Sequence, residues 1–137
     1  MKVVLDTNVL VSGIFFRGYP ARLLDLWAGG RFTVYATPLI LAEYFRVIDE
    51  LAKKISGIAV TDWKSLLSEM CHIVAENTEH ESVCRDPEDD KFIFCAMNST
   101  AGFLVTGDMD LKVLARDFSF KIVSPREFAH QIPPPRA

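Results

Sequence analysis

An α/β fold on a mostly parallel sheet follows from three observations. Short apolar runs alternate with amphipathic helical stretches along the whole chain. The first run, Lys2-Val3-Val4-Leu5, has no polar alternation, as expected of a strand covered on both faces. The longest unbroken apolar run, Phe92 to Met97, is six residues. That is far short of the roughly 20 that cross a membrane, so the hydrophobic half of the chain is expected in a soluble core.

The elements follow in order. After the first strand, residues 9–16 read as a short helix stopping near Gly18. Pro20 opens the next helix, Leu23, Leu24, Leu26 and Trp27 form its apolar face, and Gly29-Gly30 end it. Phe32–Ala36 is a second strand. Thr37-Pro38 starts a helix with an N-cap hydroxyl and a first-turn proline. It runs to about Ile55, with Leu41, Tyr44, Phe45, Ile48 and Leu51 as its stripe. Thr61 or Asp62 opens a helix carrying Trp63, Leu66, Leu67 and Met70, and His72–Ala75 reads as a third strand. The stretch Glu76–Asp90 holds seven acids and one base, and reads as a largely exposed loop. At its end Asp86 and Pro87 start another helix. Phe103–Thr106 is a strand, Met109–Arg116 a helix and Phe120–Val123 the last strand. Ser124-Pro125-Arg126-Glu127 fits a capping box. The whole reads as one domain over residues 1–132 with a stiff proline-rich tail at 133–137.

At 137 residues the chain is long enough for a real core, and 50% hydrophobic content excludes disorder. With a charge as early as Asp6, the first residues are not expected to form a secretory signal. Cys71, Cys84 and Cys95 have no paired spacing and read as reduced thiols of a cytoplasmic protein. A net charge of −3 does not announce a nucleic-acid binder. A local basic rim remains available from Arg17, Arg22, Arg46, Lys53, Lys54, Lys91, Lys112 and Arg116, although the sequence does not place them on one face. Phe15, Phe16 and Tyr19 are candidates for base stacking, and more readily for core or a dimer interface.

Ligands of open parallel sheets bind beyond the carboxyl ends of the strands, where the strand order switches. Two predicted strands end there with an acid, Asp6 and Asp108. Helix starts on the same side add Asp86, Asp89, Asp90 and Asp110. Glu43 borders an apolar helical face, with Leu39, Ile40, Arg46 and Val47 as neighbours, so it needs a partner, a metal or a proton. Arg46 is the ordinary partner, and Asp86 is equally well a simple cap. Converging carboxylates take up protons or share a cation, and an all-oxygen set favours Mg²⁺ or Mn²⁺ over Zn²⁺. His72, His80 and His130 show no ligand spacing. A Mg²⁺ held this way keeps waters, one of which can attack a phosphodiester.

At these residues the sequence resembles the PIN-domain ribonucleases. Val3-Val4-Leu5-Asp6-Thr7-Asn8-Val9-Leu10-Val11-Ser12 resembles the family's first motif, and Glu43 in Pro38-Leu39-Ile40-Leu41-Ala42-Glu43 its second acid. Asp86-Pro87-Glu88-Asp89-Asp90-Lys91-Phe92-Ile93 and Leu104-Val105-Thr106-Gly107-Asp108-Met109-Asp110-Leu111 resemble the third and fourth. The branch is that of single-domain prokaryotic toxins of toxin–antitoxin pairs. The resemblance implies a three-layer α/β/α sandwich and a Mg²⁺- or Mn²⁺-dependent endoribonuclease acting on single-stranded RNA. It implies Asp6, Glu43 and Asp108 as metal-binding acids, with Asp89 or Asp90 as the other. Asn8, Ser12 and Thr106 would be polar neighbours. It also implies a homodimer and a small antitoxin protein as partner. Position 90 is often Asn in this branch, which leaves the pair Asp89 and Asp90 open. Helical spacing favours Asp89, whose face carries Phe92, Ile93 and Ala96. Spacing back from Asp108 favours Asp90.

A haloacid dehalogenase-like phosphatase would share the first aspartate and the Gly107-Asp108 pair. It needs a general acid where Asn8 stands. A receiver domain would need an acid pair after the first strand and a lysine after the last strand, where Lys121 instead lies within it. A non-catalytic PIN scaffold binding RNA or protein is the remaining alternative, and the negative net charge is its best argument.

Overall fold

A computed structural model describes residues 1–76 and 82–133. His80 and residues 134–137 of the tail lie outside the described residues. The strands are β1 (Lys2–Leu5), β2 (Thr33–Ala36), β3 (His72–Ile73), β4 (Phe103–Val105) and β5 (Lys121–Val123). They form one sheet in the order β3-β2-β1-β4-β5, and every pairing is parallel. Helices α1 (Thr7–Phe15) and α2 (Tyr19–Ala28) join β1 to β2, and α3 (Pro38–Ala52) and α4 (Val60–Met70) join β2 to β3. Helix α5 (Asp90–Asn98) precedes β4, α6 (Met109–Lys112) precedes β5, and α7 (Pro125–Ala129) follows it.

The chain steps outward from β1 to β2 and β3, then returns to β4 and β5 on the other side. Right-handed connections running in opposite directions put their helices on opposite faces of the sheet. The inner strands are accordingly apolar on both sides: Val3, Val4, Leu5, Leu104 and Val105 are fully buried. The same reversal opens a crevice between the carboxyl ends of β1 and β4.

Most local signals act as read. The Thr37 side chain accepts from the Ile40 N–H, and Ser124 with Glu127 closes a reciprocal capping box. Several boundaries move. Helix α1 begins at Thr7, because the Asp6 carbonyl takes the N–H groups of Val9 and Leu10 as soon as β1 ends. Helix α4 starts at Val60 without a side-chain cap, one residue ahead of the polar pair. The expected helix 109–116 divides into α6 and a 3-10 turn at Ala115–Asp117. The helix expected from Asp86 begins as a 3-10 turn, Pro87–Asp89, before α5 proper.

Helices α1 and α2 pack closely through Gly13. A Cβ at this position would lie 2.7 Å from Leu24 Cγ and 2.7 Å from the Pro20 carbonyl oxygen. The carbonyl cannot move without moving α2. Gly13→Ala gains helix propensity of about 1 kcal/mol, yet overpacking of this kind costs about 1–3 kcal/mol. A net loss of stability in urea melts is the expected result, and a more stable variant would show that the two helices separate easily.

Candidate functional site

The crevice begins with Asp6. Its N–H donates to the Val105 carbonyl at 3.0 Å, tying the end of β1 to β4. The side chain is then held across the switch point: the Thr106 hydroxyl donates to Asp6 Oδ2 at 2.7 Å. Thr106 in turn accepts from the Asp108 N–H at 3.0 Å. One buried threonine therefore fixes both strand-end acids. Asp108 caps α6 by accepting from the Asp110 N–H at 2.8 Å.

Asp6 is 6% exposed. Burial raises its pKa above the ordinary carboxylate value, and the charges of Asp108 and Glu43 push the same way. The Thr106 hydroxyl and the Asn8 backbone N–H only partly offset this. Asp89, half-buried at the end of its 3-10 turn, is pushed up to about 6 by burial, then by Asp6, Asp108 and Asp86. A cleft of about 220 Å³ is lined by Asp6, Asn8, Glu43, Glu88 and Asp89 among others.

Glu43 reaches this cleft from α3. Its Oε2 accepts from the Thr7 hydroxyl. Its Oε1 lies 2.8 Å from Lys91 Nζ and 4.0 Å from Arg46 Nη2. The ordinary partner expected in Arg46 is thus the weaker of two, and Lys91 is the main one. Neither Thr7 nor Lys91 was legible as a partner of Glu43. The one usable signal was the position of each beside a motif acid, Thr7 after Asp6 and Lys91 two residues beyond Asp89.

The other predicted site residues divide. Asp90 is 7% exposed and turned into the preceding loop, where it accepts from the N–H groups of Val83 and Cys84 at 3.1 and 2.8 Å. Burial pushes its pKa up, but hydrogen bonds from Ser82, Cys84 and Val83 outweigh burial and hold it below the usual value. Asp86 caps the Pro87 turn through the Glu88 N–H. Asp110 is exposed and 3.9 Å from Arg85 Nη1. Ser12 is not among the residues lining the cleft. His72 stacks on Tyr35 and His130 packs against Tyr19. Phe15 is buried and Phe16 exposed. The three cysteines are free; burial pushes the Cys71 and Cys95 thiols up to about 12.

A family model described as the PIN domain matches residues 2–110. The chain belongs to the PIN domain family. That assignment excludes the phosphatase and receiver alternatives, and the five-stranded all-parallel sheet flanked by helices is PIN-like. This PIN domain is 34% identical to the uncharacterized protein MJ1680 of Methanocaldococcus jannaschii, over 96% of this chain and 91% of that protein. Two solved structures share its fold at 16% identity. One is PAE2754 from Pyrobaculum aerophilum, with a TM-score of 0.61, covering 96% of this chain and 88% of that one. The other is VapBC2 from Rickettsia felis bound to a DNA fragment from their promoter, with a TM-score of 0.60, covering 90% and 98%.

The donors around the crevice are oxygen only, and two are raised by burial and mutual repulsion. That chemistry fits a hard divalent cation such as Mg²⁺ or Mn²⁺. Among the described residues, no three Asp, Glu, His or Cys side chains stand as a ready-made metal group. Glu43 lines the cleft but is engaged there by Thr7 and Lys91.

The raised acids set a pH dependence. A carboxyl whose folded pKa lies above its unfolded value favours the fold below the unfolded pKa, and that advantage is lost as pH rises through the folded one. For Asp89 the window runs from 3.8 to about 6, and Asp6 acts in the same direction. Glu127 acts oppositely: Lys112 and the Ser124 cap hold it at about 2, so its contribution is lost only as pH falls below 4.5. In EDTA the melting temperature is expected to fall between pH 4 and 7, and Asp89→Asn to flatten that fall. An equally steep fall in the variant would assign it to other groups.

Proposed function

We propose that this PIN domain is a metal-dependent endoribonuclease that cuts single-stranded RNA. The observation that carries the reading is that Asp6 and Asp89 line one cleft while Thr106 ties Asp6 to Asp108 across the β1–β4 switch point, with Asp6 and Asp89 raised first by burial and then by neighbouring carboxylates. Asp6, Asp89 and Asp108 would hold Mg²⁺ or Mn²⁺, with Glu43 as the further acid. A bound cation of this kind supplies a low-pKa water as nucleophile and polarises the phosphoryl group. Thr106 keeps Asp6 in one orientation and fixes the Asp108 backbone. Asp90 supports the site by bracing the loop before α5.

The resemblance to single-domain prokaryotic members carries the finer reading. The protein would be the toxin of a toxin–antitoxin pair, cytoplasmic, homodimeric and silenced by a small antitoxin protein. Growth arrest on expression, relieved by a small adjacent gene, is the expected result. Silent expression would leave the nuclease without the toxin role.

The direct test pairs cleavage of a labelled single-stranded RNA pool in Mg²⁺, Mn²⁺ or EDTA with thermal melts. A ligand that binds only the folded state stabilises it by about 2.7 kcal/mol at a hundredfold excess over Kd. Mn²⁺ is expected to give the larger shift. Cleavage that persists in EDTA, or no shift with either ion at millimolar concentration, would overturn the metal mechanism.

A further inference from the structure

Beside the acid cleft, and sharing Glu43, Arg46 and Glu88 with it, lies a second groove of about 420 Å³. Leu39, Ala42 and Pro87 give it apolar walls, and Leu39 is 59% exposed. Its bases are Arg46 and Lys91. Arg46 is largely in solvent and bonded to Glu50 at 3.2 Å. Lys91 is different. Its side chain is only 16% exposed, and it is gripped by Glu43 Oε1 at 2.8 Å, the Glu88 carbonyl at 2.8 Å and the Glu88 carboxylate at 3.5 Å. It therefore stands where groove and acid cleft meet, with its positive charge spent on a cleft carboxylate.

We propose that Lys91 is an exchangeable counter-ion: it holds Glu43 in the metal-free protein and passes to a phosphate of RNA in the groove when Glu43 joins a divalent cation. This rests on the nuclease reading of the cleft. The physical argument is a competition between two cations for one carboxylate. With Glu43 committed to a divalent cation, Lys91 keeps only its contacts to Glu88, whose carboxylate is 3.5 Å away, and faces a like charge. An RNA phosphate then gives it a new anion, while the apolar walls of Leu39, Ala42 and Pro87 leave room for a sugar or base. Cation binding and RNA binding become coupled, each favouring the other.

The test is Lys91→Met, which keeps most of the aliphatic stem and removes the ammonium, 5.4 Å from the Phe92 ring centroid. Mn²⁺ affinity is measured by calorimetry without RNA. RNA affinity is measured by anisotropy, with and without Mn²⁺, on a labelled single-stranded RNA carrying cleavage-resistant phosphorothioate linkages. Removal of the competing cation is expected to tighten Mn²⁺ binding about fivefold, at the lower end of ordinary coupling. RNA binding is expected to weaken only when Mn²⁺ is present, with the salt slope falling by about 0.7, the value of one single-strand phosphate contact. Lys91→Arg is expected to restore both. A lysine that merely braces α5 against α3 predicts the opposite sign: weaker Mn²⁺ binding in Lys91→Met overturns the exchange. Equal loss of RNA binding with and without Mn²⁺ also overturns it, since Lys91 would then already be free. If Lys91→Met fails to fold, Glu43→Gln asks the same question from the other side: it is expected to tighten metal-free RNA binding, and unchanged binding overturns the exchange. Absence of Mn²⁺ binding to the wild-type protein overturns the nuclease reading itself. Tight wild-type binding with an unchanged Lys91→Met variant overturns the exchange alone.

Discussion

Asp6→Asn is expected to lower RNA cleavage by more than about a hundredfold, the upper range for residues that merely orient a metal's ligands, while the metal-free protein stays at least as stable as wild type. The two halves of this result come from one fact. Asp6 is almost fully buried, and its charged form is disfavoured there, first by burial and then by Asp108 and Glu43. Asparagine is the neutral isostere of the disfavoured charge. Its amide oxygen can still accept from the Thr106 hydroxyl that now bonds Oδ2 at 2.7 Å, so the crevice keeps that hydrogen bond and loses a repulsion. The variant is therefore expected to melt at or above the wild-type temperature in EDTA at pH 7, and to gain much less from Mn²⁺. Cleavage and melts on the same preparation check it. A folded variant that cuts RNA at the wild-type rate would remove Asp6 from the chemistry. A variant that unfolds would show that the charge supports the fold.

How much of this was legible in the sequence depends on the range of each signal. Strand β1 and its following acid were legible because Val3-Val4-Leu5 is apolar without alternation, which only a doubly covered strand tolerates. The start of α3 was legible because Thr37 and Pro38 act on their own helix. The start of α1 was not, because it is set by how abruptly β1 ends at the sheet edge, and Asp6 both closes the strand and opens the helix. The acids could be collected by the rule that parallel strands point their carboxyl ends to one side. Their partners could not. Lys91 meets Glu43 only because α5 packs against α3, 48 positions on in the chain, and no helical spacing connects them. Thr7 reaches Glu43 across 36 positions in the same way. Arg46, the partner local spacing suggested, is 4.0 Å away and mostly solvated.

The neighbouring acids Asp89 and Asp90 are expected to separate activity from stability. Asp89→Asn should lose most RNA cleavage, by about a hundredfold or more if the carboxylate is a metal ligand, with little change in folding. Asp90→Asn should retain much more activity and lose stability. The reason is where each side chain is committed. Asp89 faces the cleft with Asp6 and Glu43, and its pKa of about 6 reflects burial and the charges of Asp6, Asp108 and Asp86. Losing its charge relieves repulsion in the metal-free protein. Asp90, one residue on, starts α5 facing away from the cleft, and its carboxylate accepts from the N–H groups of Val83 and Cys84. Asn can keep one acceptor oxygen but not the charge that strengthens both bonds, so about 1–3 kcal/mol is expected to go. The stripe below the pair fits the same register: Phe92, Ile93 and Ala96 are buried, whereas Met97 on the Asp90 face is 38% exposed. Cleavage rates and urea midpoints on both variants decide the matter. Reversed losses would mean that Asp90 leaves its loop in the working enzyme and that the register of α5 at the cleft differs by one residue from the one observed.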